Sequence, residues 1–382
     1  MGAQGSGETM NFLFSIIPTL IVLGLLILIH ELGHFIACRL TKVRVEKFSI
    51  GFGPEILHWQ GPETRYAISL FPLGGFVKPA GESVSEVDEA GPKPGDYLAA
   101  SIPARILIVV AGVAMNYFLA YWLFVSVFMM GRPVPGTVIG GFVEGYPAQE
   151  KGIQVGDRIV QINEAGVDTW IEMTEALQAA PAGELLLTVE RSQAGKAEQV
   201  TLKIEPRVDS VKDIFGETFE MKRLGVTPNP EANKFEKFGF LEAVRHAWET
   251  LVNLTVLTYK AIFYLIMGKL SIKTMAGPIG IVAMTGSAAK LGLPYVLQLA
   301  ANLSVSLAVI NLLPIPALDG GHLLFLLIEA IRRKRVSLEF QERMTQAGFI
   351  LLMVLMVFIL YNDLANLQVF EKIKGFLPFG KT

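Results

Sequence analysis

The apolar run from Phe12 to Ile36 is long enough to cross a bilayer, and it carries His30-Glu31-Leu32-Gly33-His34 near its end. A run of this length has to become a helix, because only a helix pairs every backbone N–H and C=O inside one segment surrounded by lipid. Helical spacing then fixes the chemistry. Residues four apart share a face, so His30 and His34 form a ready pair of metal donors, with Glu31 beside them as a candidate general base. A carboxylate at the centre of a spanning helix costs about 2.5–3.5 kcal/mol on insertion scales, which argues for a functional partner rather than chance packing.

Composition is consistent with a mixed chain: 52% hydrophobic and 18% charged residues lie between a soluble and a fully embedded protein. The single cysteine, Cys38, excludes an intramolecular disulfide framework and a cysteine-ligated zinc finger. A net charge of −2 gives no argument for a nucleic-acid partner. Residues 1–10 are polar and glycine-rich and are expected to be an N-terminal extension, with Met10 as an alternative start.

The expected fold class is a multi-span α-helical membrane protein with four transmembrane helices, membrane-associated β-hairpins and one inserted α+β domain. Residues 11–133 hold spans one (Phe12 to Leu40) and two (Ile106 to Met130), separated by a hairpin region, 41–102, rich in Gly and Pro. Residues 134–207 change character. Short β-like runs (Thr137 to Val143, Arg158 to Ile162, Leu185 to Glu190, Gln199 to Ile204) surround one amphipathic helix, Ile171 to Ala180, which reads as a small soluble domain. Residues 208–290 are expected to be an outer-side linker and amphipathic helix. Residues 291–382 hold span three (Tyr295 to Leu313), a break at Asn311 to Gly321, a resumed helix from His322, and span four (Ala347 to Tyr361).

Basic residues set the orientation. Arg39, Lys42, Arg44 and Lys47 follow span one, Arg105 precedes span two and Arg332 to Arg335 lie between spans three and four, so both loops are cytoplasmic by the positive-inside rule. If Trp248 to Met267 also crossed, Asp319 would lie on the opposite side from His34; that segment therefore reads as lying on the outer surface.

A catalytic zinc usually has three protein ligands and one open position. Asp319 is the favoured third ligand and His322 the competing one. With zinc bound, Glu31 would take a proton from water attacking a peptide carbonyl and return it to the leaving amine. Asn311 either donates to the developing oxyanion or packs helices, and Asn116 reads mainly as packing glue. The stretch Tyr66 to Lys78, with Gly74, Gly75 and Phe76, is a candidate edge for pairing with an extended substrate, against the alternative of an ordinary hairpin.

These residues resemble the site-2 proteases, most closely the bacterial regulator-of-sigma-E protease-like branch. The resemblance covers nearly the whole chain: His30-Glu31-x-x-His34, Phe48 to Pro54, Leu73 to Lys78, Gly277-Pro278-Ile279-Gly280, and Asn311 to Gly321 with its Leu-Asp-Gly core. It implies Zn²⁺ on His30, His34 and Asp319, Glu31 as base, Asn311 near the scissile bond, and a membrane-dipping β-loop at Tyr66 to Lys78. It further implies a bacterial cytoplasmic (inner) membrane location and single-span membrane protein substrates of the anti-sigma factor or remnant signal peptide type. The soluble domain is similar to a PDZ domain on the periplasmic or extracellular side, with Tyr146 where Ser is common. Relatives with two PDZ domains differ from this chain, which has room for one. The domain is expected either to exclude bulky ectodomains or to capture a peptide C-terminus near Ile139 to Phe142. Two other functions compete with this one: a non-catalytic membrane PDZ adaptor with a structural metal site, and a metal transporter, for which the sequence offers few further ligands.

Overall fold

A computed structural model describes residues 3–82, 91–193, 196–213, 216–271 and 275–366. In chain order the first elements are α1 (Ala3–Leu40), β1 (Val45–Gln60), β2 (Arg65–Pro79) and α2 (Ile102–Met130). Next come β3 (Arg132–Pro135), β4 (Ile139–Phe142), α3 (Pro147–Glu150), β5 (Arg158–Ile162), β6 (Ala165–Gly166), α4 (Trp170–Ala179), β7 (Leu185–Gln193) and β8 (Lys196–Ile204). The strands β9 (Arg207–Lys212), β10 (Thr218–Arg223), β11 (Val226–Pro228) and β12 (Asn233–Glu236) follow. Helices α5 (Phe240–Ile266), α6 (Pro278–Leu291), α7 (Leu293–Asn311), α8 (Asp319–Arg332) and α9 (Leu338–Asn366) complete the order.

These elements form two compact units. The first takes in the described residues of Met1–Val127, Phe240–Leu265 and Ser271–Thr382. Among the described residues, five helices are long and apolar enough to cross a membrane: Ser15–Leu40, Ile102–Met130, Phe240–Ile266, Leu293–Asn311 and Leu338–Ala365. Four coincide with the expected spans. The fifth, α5, contains the ambiguous stretch and has the lowest mean hydropathy of the five, 1.2.

Small residues bring these helices together. A Cβ at Gly33 would collide with the backbone of Ala111, so α1 and α2 meet there at backbone distance, and a Cβ at Gly286 of α6 would collide with Ser15 of α1. Val22, Leu26 and Ala300 form a buried cluster between α1 and α7. Two buried polar contacts lock the set. Arg105 at the start of α2 binds Glu329 of α8 bidentately at 2.6 and 3.1 Å. Asp363 near the end of α9 accepts hydrogen bonds from Gly277, Ile279 and Gly280, each at 3.0 Å, satisfying N–H groups at the start of α6 that a helix leaves unpaired. This gives the Gly277-Pro278-Ile279-Gly280 motif a physical role. Helix α6 itself lies in a region the sequence assigned to a linker; at 14 residues it is too short to span.

The β1–β2 hairpin region folds back on itself. Residues 45–50 pair both with 65–68 and with 75–79, while 55–60 pair with 65–69, so 75–79 is an outer strand.

The second unit comprises the described residues of Phe128–Gly239 and Ile266–Leu270. Its main sheet has the order β6-β5-β7-β8, covered by α4, whose start carries a capping box between Thr169 and Glu172. Ile139, Ile159, Ile162, Met173, Leu177, Leu187 and Leu224 share its core. The boundary at 207 and the irregular linker after it therefore need correction. The strands β9 to β12 lie beyond that boundary; β11 pairs with β4 and β12 with β3, so the unit closes only when its C-terminal strands return to its beginning.

Two predictions follow from these contacts. Asp363→Ala leaves three N–H groups at the start of α6, one buried and two part-buried, without their acceptor and should lower stability by about 2 kcal/mol, read as a lower thermal midpoint in detergent. In the second unit Asp157 is buried, which pushes its carboxyl up, but bidentate bonds from Arg191 and the Gln154 N–H outweigh this and hold it below the usual range. A depressed folded pKa adds stability above the unfolded value of about 3.9 and loses it as pH falls through the folded value. Protection of the Ile159 and Val189 amides, relative to their intrinsic exchange at each pH, should fall through that acid window, and Asp157→Asn should flatten the dependence.

Candidate metal centre

Helix α1 delivers His30 and His34 one turn apart, with the rings edge to face at 4.7 Å between centroids. Asp319 arrives from a different part of the chain. Helix α7 stops at Asn311 because Pro314 and Pro316 cannot continue it, and the chain turns through Leu313, Ile315 and Leu318 before α8 begins at Asp319. Gly320 and Gly321 sit where any Cβ would collide with the backbone of Leu312, Leu313, Ile315 or Pro316. Larger residues there would push Asp319 out of place, which accounts for the glycines after Leu318-Asp319.

The three donors converge. His30 Nε2 lies 3.2 Å from His34 Nε2 and 3.1 Å from Asp319 Oδ2, and His34 Nε2 lies 3.5 Å from the same oxygen. Donors at about 2.0–2.1 Å from a tetrahedral zinc are separated by about 3.3–3.4 Å, so this triangle has the dimensions of one face of such a site. Asp319 Oδ2 is buried with no aligned hydrogen-bond donor, as expected of an oxygen reserved for a cation. Among the described residues this is the cluster able to hold a metal ion. His322 is outside it and lines a cavity of about 330 Å³ with Tyr97, Arg105 and Glu329.

Helix α2 supplies the support. The Nδ1–H of His34 donates to the Ile108 carbonyl at 2.8 Å. Asn116, fully buried, places its amide 3.2 Å from His30 Nδ1 and leaves Oδ1 without a partner. Turning that amide about its terminal bond puts Oδ1 on the His30 Nδ1–H, the arrangement we assign. Each imidazole then presents a free Nε2 lone pair to a metal. A Cβ at Gly112 would strike both imidazoles. Ile108, Gly112 and Asn116 are four apart, one stripe of α2 facing the histidines. The sequence weighed Asn116 mainly as packing and passed over Gly112; the signal was the i, i+4 spacing of a small and a polar residue in an apolar helix.

The remaining candidates surround this centre. Glu31 Oε2 accepts from the Val77 N–H of β2 at 3.1 Å. Asn311 Nδ2 lies 3.4 Å from His30 Nε2. Gly74 and Gly75 are buried where β2 presses on α1: a Cβ on Gly74, at φ +130°, would meet Phe52 and Ile27. Phe76 stacks on Phe52 at 6.3 Å. An apolar groove of about 360 Å³ follows Ile17, Ile21, Gly24 and Leu28 along α1 and ends at Ile50 and Gly74. In the second unit, Ile139 is core and Ile139–Phe142 is the strand β4 paired with β11, where the sequence reading expected a capture loop. The groove, about 220 Å³, lies between Trp170, Met173 and Leu177 of α4 and the segment Leu224 to Val226.

Comparison with known proteins gives one consistent result. The family described as Peptidase family M50 matches residues 18–355. A protein of Agrobacterium fabrum named as a candidate zinc metalloprotease is 33% identical over 92% of this chain and 96% of its own length. Similarly named proteins of Clostridium acetobutylicum and Rickettsia conorii are each 34% identical, over 92% and 93% of this chain and 97% and 99% of their own lengths.

Loss of the Asn116 amide, or a Cβ pressed against the imidazoles at Gly112, should weaken metal binding with all three donor residues still present. Asn116→Ala and Gly112→Ala are each expected to lower zinc affinity by about 10–100-fold, measured by competition with a chromophoric chelator.

Proposed function

The chain belongs to peptidase family M50, the site-2 proteases, and on that premise we propose that it is a zinc-dependent intramembrane endopeptidase acting on single-span proteins. It is a multi-pass membrane metalloprotease; the finer reading is that it cuts within or beside a transmembrane segment during regulated intramembrane proteolysis. The observation that carries this reading is the triangle of His30, His34 and Asp319 donors at tetrahedral spacing, with Glu31 on the same apolar helix. Three donors leave a fourth position open, which favours catalysis over a structural site.

His30, His34 and Asp319 would hold the zinc, which when bound supplies Lewis acidity that polarises a peptide carbonyl and acidifies water at the open position. Glu31 takes the proton of the attacking water and passes it to the leaving amine. Asn311, on the same side as His30, donates its amide N–H to the oxygen on which negative charge develops. Peptide bonds in an intact helix are shielded, so the substrate unwinds before attack. The groove along α1 suits an apolar helix, and its end at Gly74 passes that helix to the edge of residues 75–79, where an unwound segment adds as a strand.

The positive-inside rule supports a cytoplasmic side for the loops around Arg39 to Lys47 and Arg332 to Arg335, and with it an outer side for the PDZ-like second unit and an outer-surface position for α5; the proposed membrane is the bacterial inner membrane, as the family resemblance implies. The groove between α4 and Leu224 to Val226 is the position at which that unit would receive a peptide C-terminus; exclusion of bulky ectodomains is its other proposed role.

The test is cleavage of a single-span substrate with a short ectodomain by purified wild type and Glu31→Gln, with zinc quantified in both. Wild type should cut within the span; Glu31→Gln should keep its zinc and lose at least about 10²-fold in rate. Zinc in both proteins with cleavage of several substrates by neither would contradict the reading and favour a membrane adaptor.

A further inference from the structure

Glu31 does more than stand beside the metal donors: its carboxylate occupies a hydrogen-bonding position on a strand edge. Residues 75–79 form the outer strand of the hairpin region, paired on one side with 45–50. Backbone groups along an antiparallel strand point alternately toward the partner and away from it. Val77 lies opposite Phe48, yet its N–H donates to Glu31 Oε2 at 3.1 Å, so position 77 points outward and, by alternation, so does Gly75. The two outward positions are about 6.8 Å apart along the strand. Close packing fixes this arrangement: a Cβ on Gly75 would meet the Ser49 carbonyl at 2.6 Å, and its next contact is Glu31 Cγ at 3.7 Å.

An extended chain adding to this edge can pair with Gly75. It cannot pair with Val77 while the carboxylate holds that N–H. We propose that Glu31 caps the edge at Val77 and thereby sets the register of cleavage: the substrate carbonyl that would have bonded to Val77, two residues beyond the one paired at Gly75, is left for the chemistry and is the scissile one. Val77 acts through its backbone as a positioning residue. With Oε2 anchored to it, Oε1 is the oxygen that takes the proton. The ligand class is the backbone of an unwound apolar segment, read by position along a strand rather than by side chain. This inference rests on the proteolytic reading and deepens it.

One arm of the test needs no activity. Amide exchange resolved at Val77 in the full-length protein without substrate should be at least about tenfold faster in Glu31→Ala than in wild type, with Phe76 and Lys78 unchanged. Equal exchange at Val77 overturns the cap. The other arm maps cleavage positions by mass spectrometry. Val77→Pro deletes the outward N–H while leaving the inward ladder intact, and Val77→Ala keeps it. Val77→Ala, which keeps the N–H, should cut at the wild-type bond. Val77→Pro, with zinc retained, should spread cleavage to bonds two residues away and lose about tenfold in kcat with KM within about twofold. Wild-type kcat at the single wild-type bond overturns the register. Wild type that cuts no substrate while Glu31 still protects Val77 removes the proteolytic premise, and the register with it.

Discussion

Three candidate metal donors held together inside an apolar helical layer require backbones to approach more closely than ordinary side chains allow. Gly33 gives α1 and α2 that approach, and Gly112 clears the volume that both imidazoles occupy. Everything at the centre follows from it. Once α2 lies against α1, the Ile108 carbonyl and the Asn116 amide reach the Nδ1 atoms of His34 and His30 and direct both Nε2 atoms to one point. Asp319 reaches the same point because Gly320 and Gly321 allow α8 to begin beneath the turn that ends α7.

The polar groups of this layer are costly to bury, and the structure groups them so that each has a partner or a cation to meet. Arg105 and Glu329 neutralise one another between α2 and α8, and Asp363 is spent on the N–H groups of α6. Helix α6 in turn packs on α1 at Gly286 and Ser15, on the helix that carries the histidines. Contacts remote from the donors thus keep α1 from shifting. Glu31 fits the same pattern, since its carboxylate is tied to the Val77 N–H instead of being left alone in an apolar setting.

Much of this was legible in the sequence because it depends on period and length. The apolar run at Phe12 to Leu40, the interruption by Pro314 and Pro316, and the alternating strands around Ile159 and Leu187 each carry a local signal, and the structure has a helix, a break between α7 and α8, and strands there. Residues 207–236 carried little signal: their strands are short and polar, and Leu224 joins the core only because β11 returns to β4, a long-range pairing. The same return moves the groove of the second unit from Ile139 to Phe142 over to Leu224 to Val226. The sequence already favoured Asp319 over His322; in three dimensions both follow the same helix break and only Asp319 turns toward the histidines. A backbone N–H such as that of Val77 leaves no trace in residue identity at all.

The most direct test of the centre is zinc K-edge X-ray absorption on the purified full-length protein, in wild type and in Asp319→Ala. One zinc per chain, with two imidazole nitrogens and a carboxylate oxygen at about 2.0–2.1 Å and the carboxylate lost in the variant, is the expected result. An unchanged spectrum in Asp319→Ala, or a third imidazole in the wild-type shell, would contradict the assignment of Asp319 and return His322 to the site.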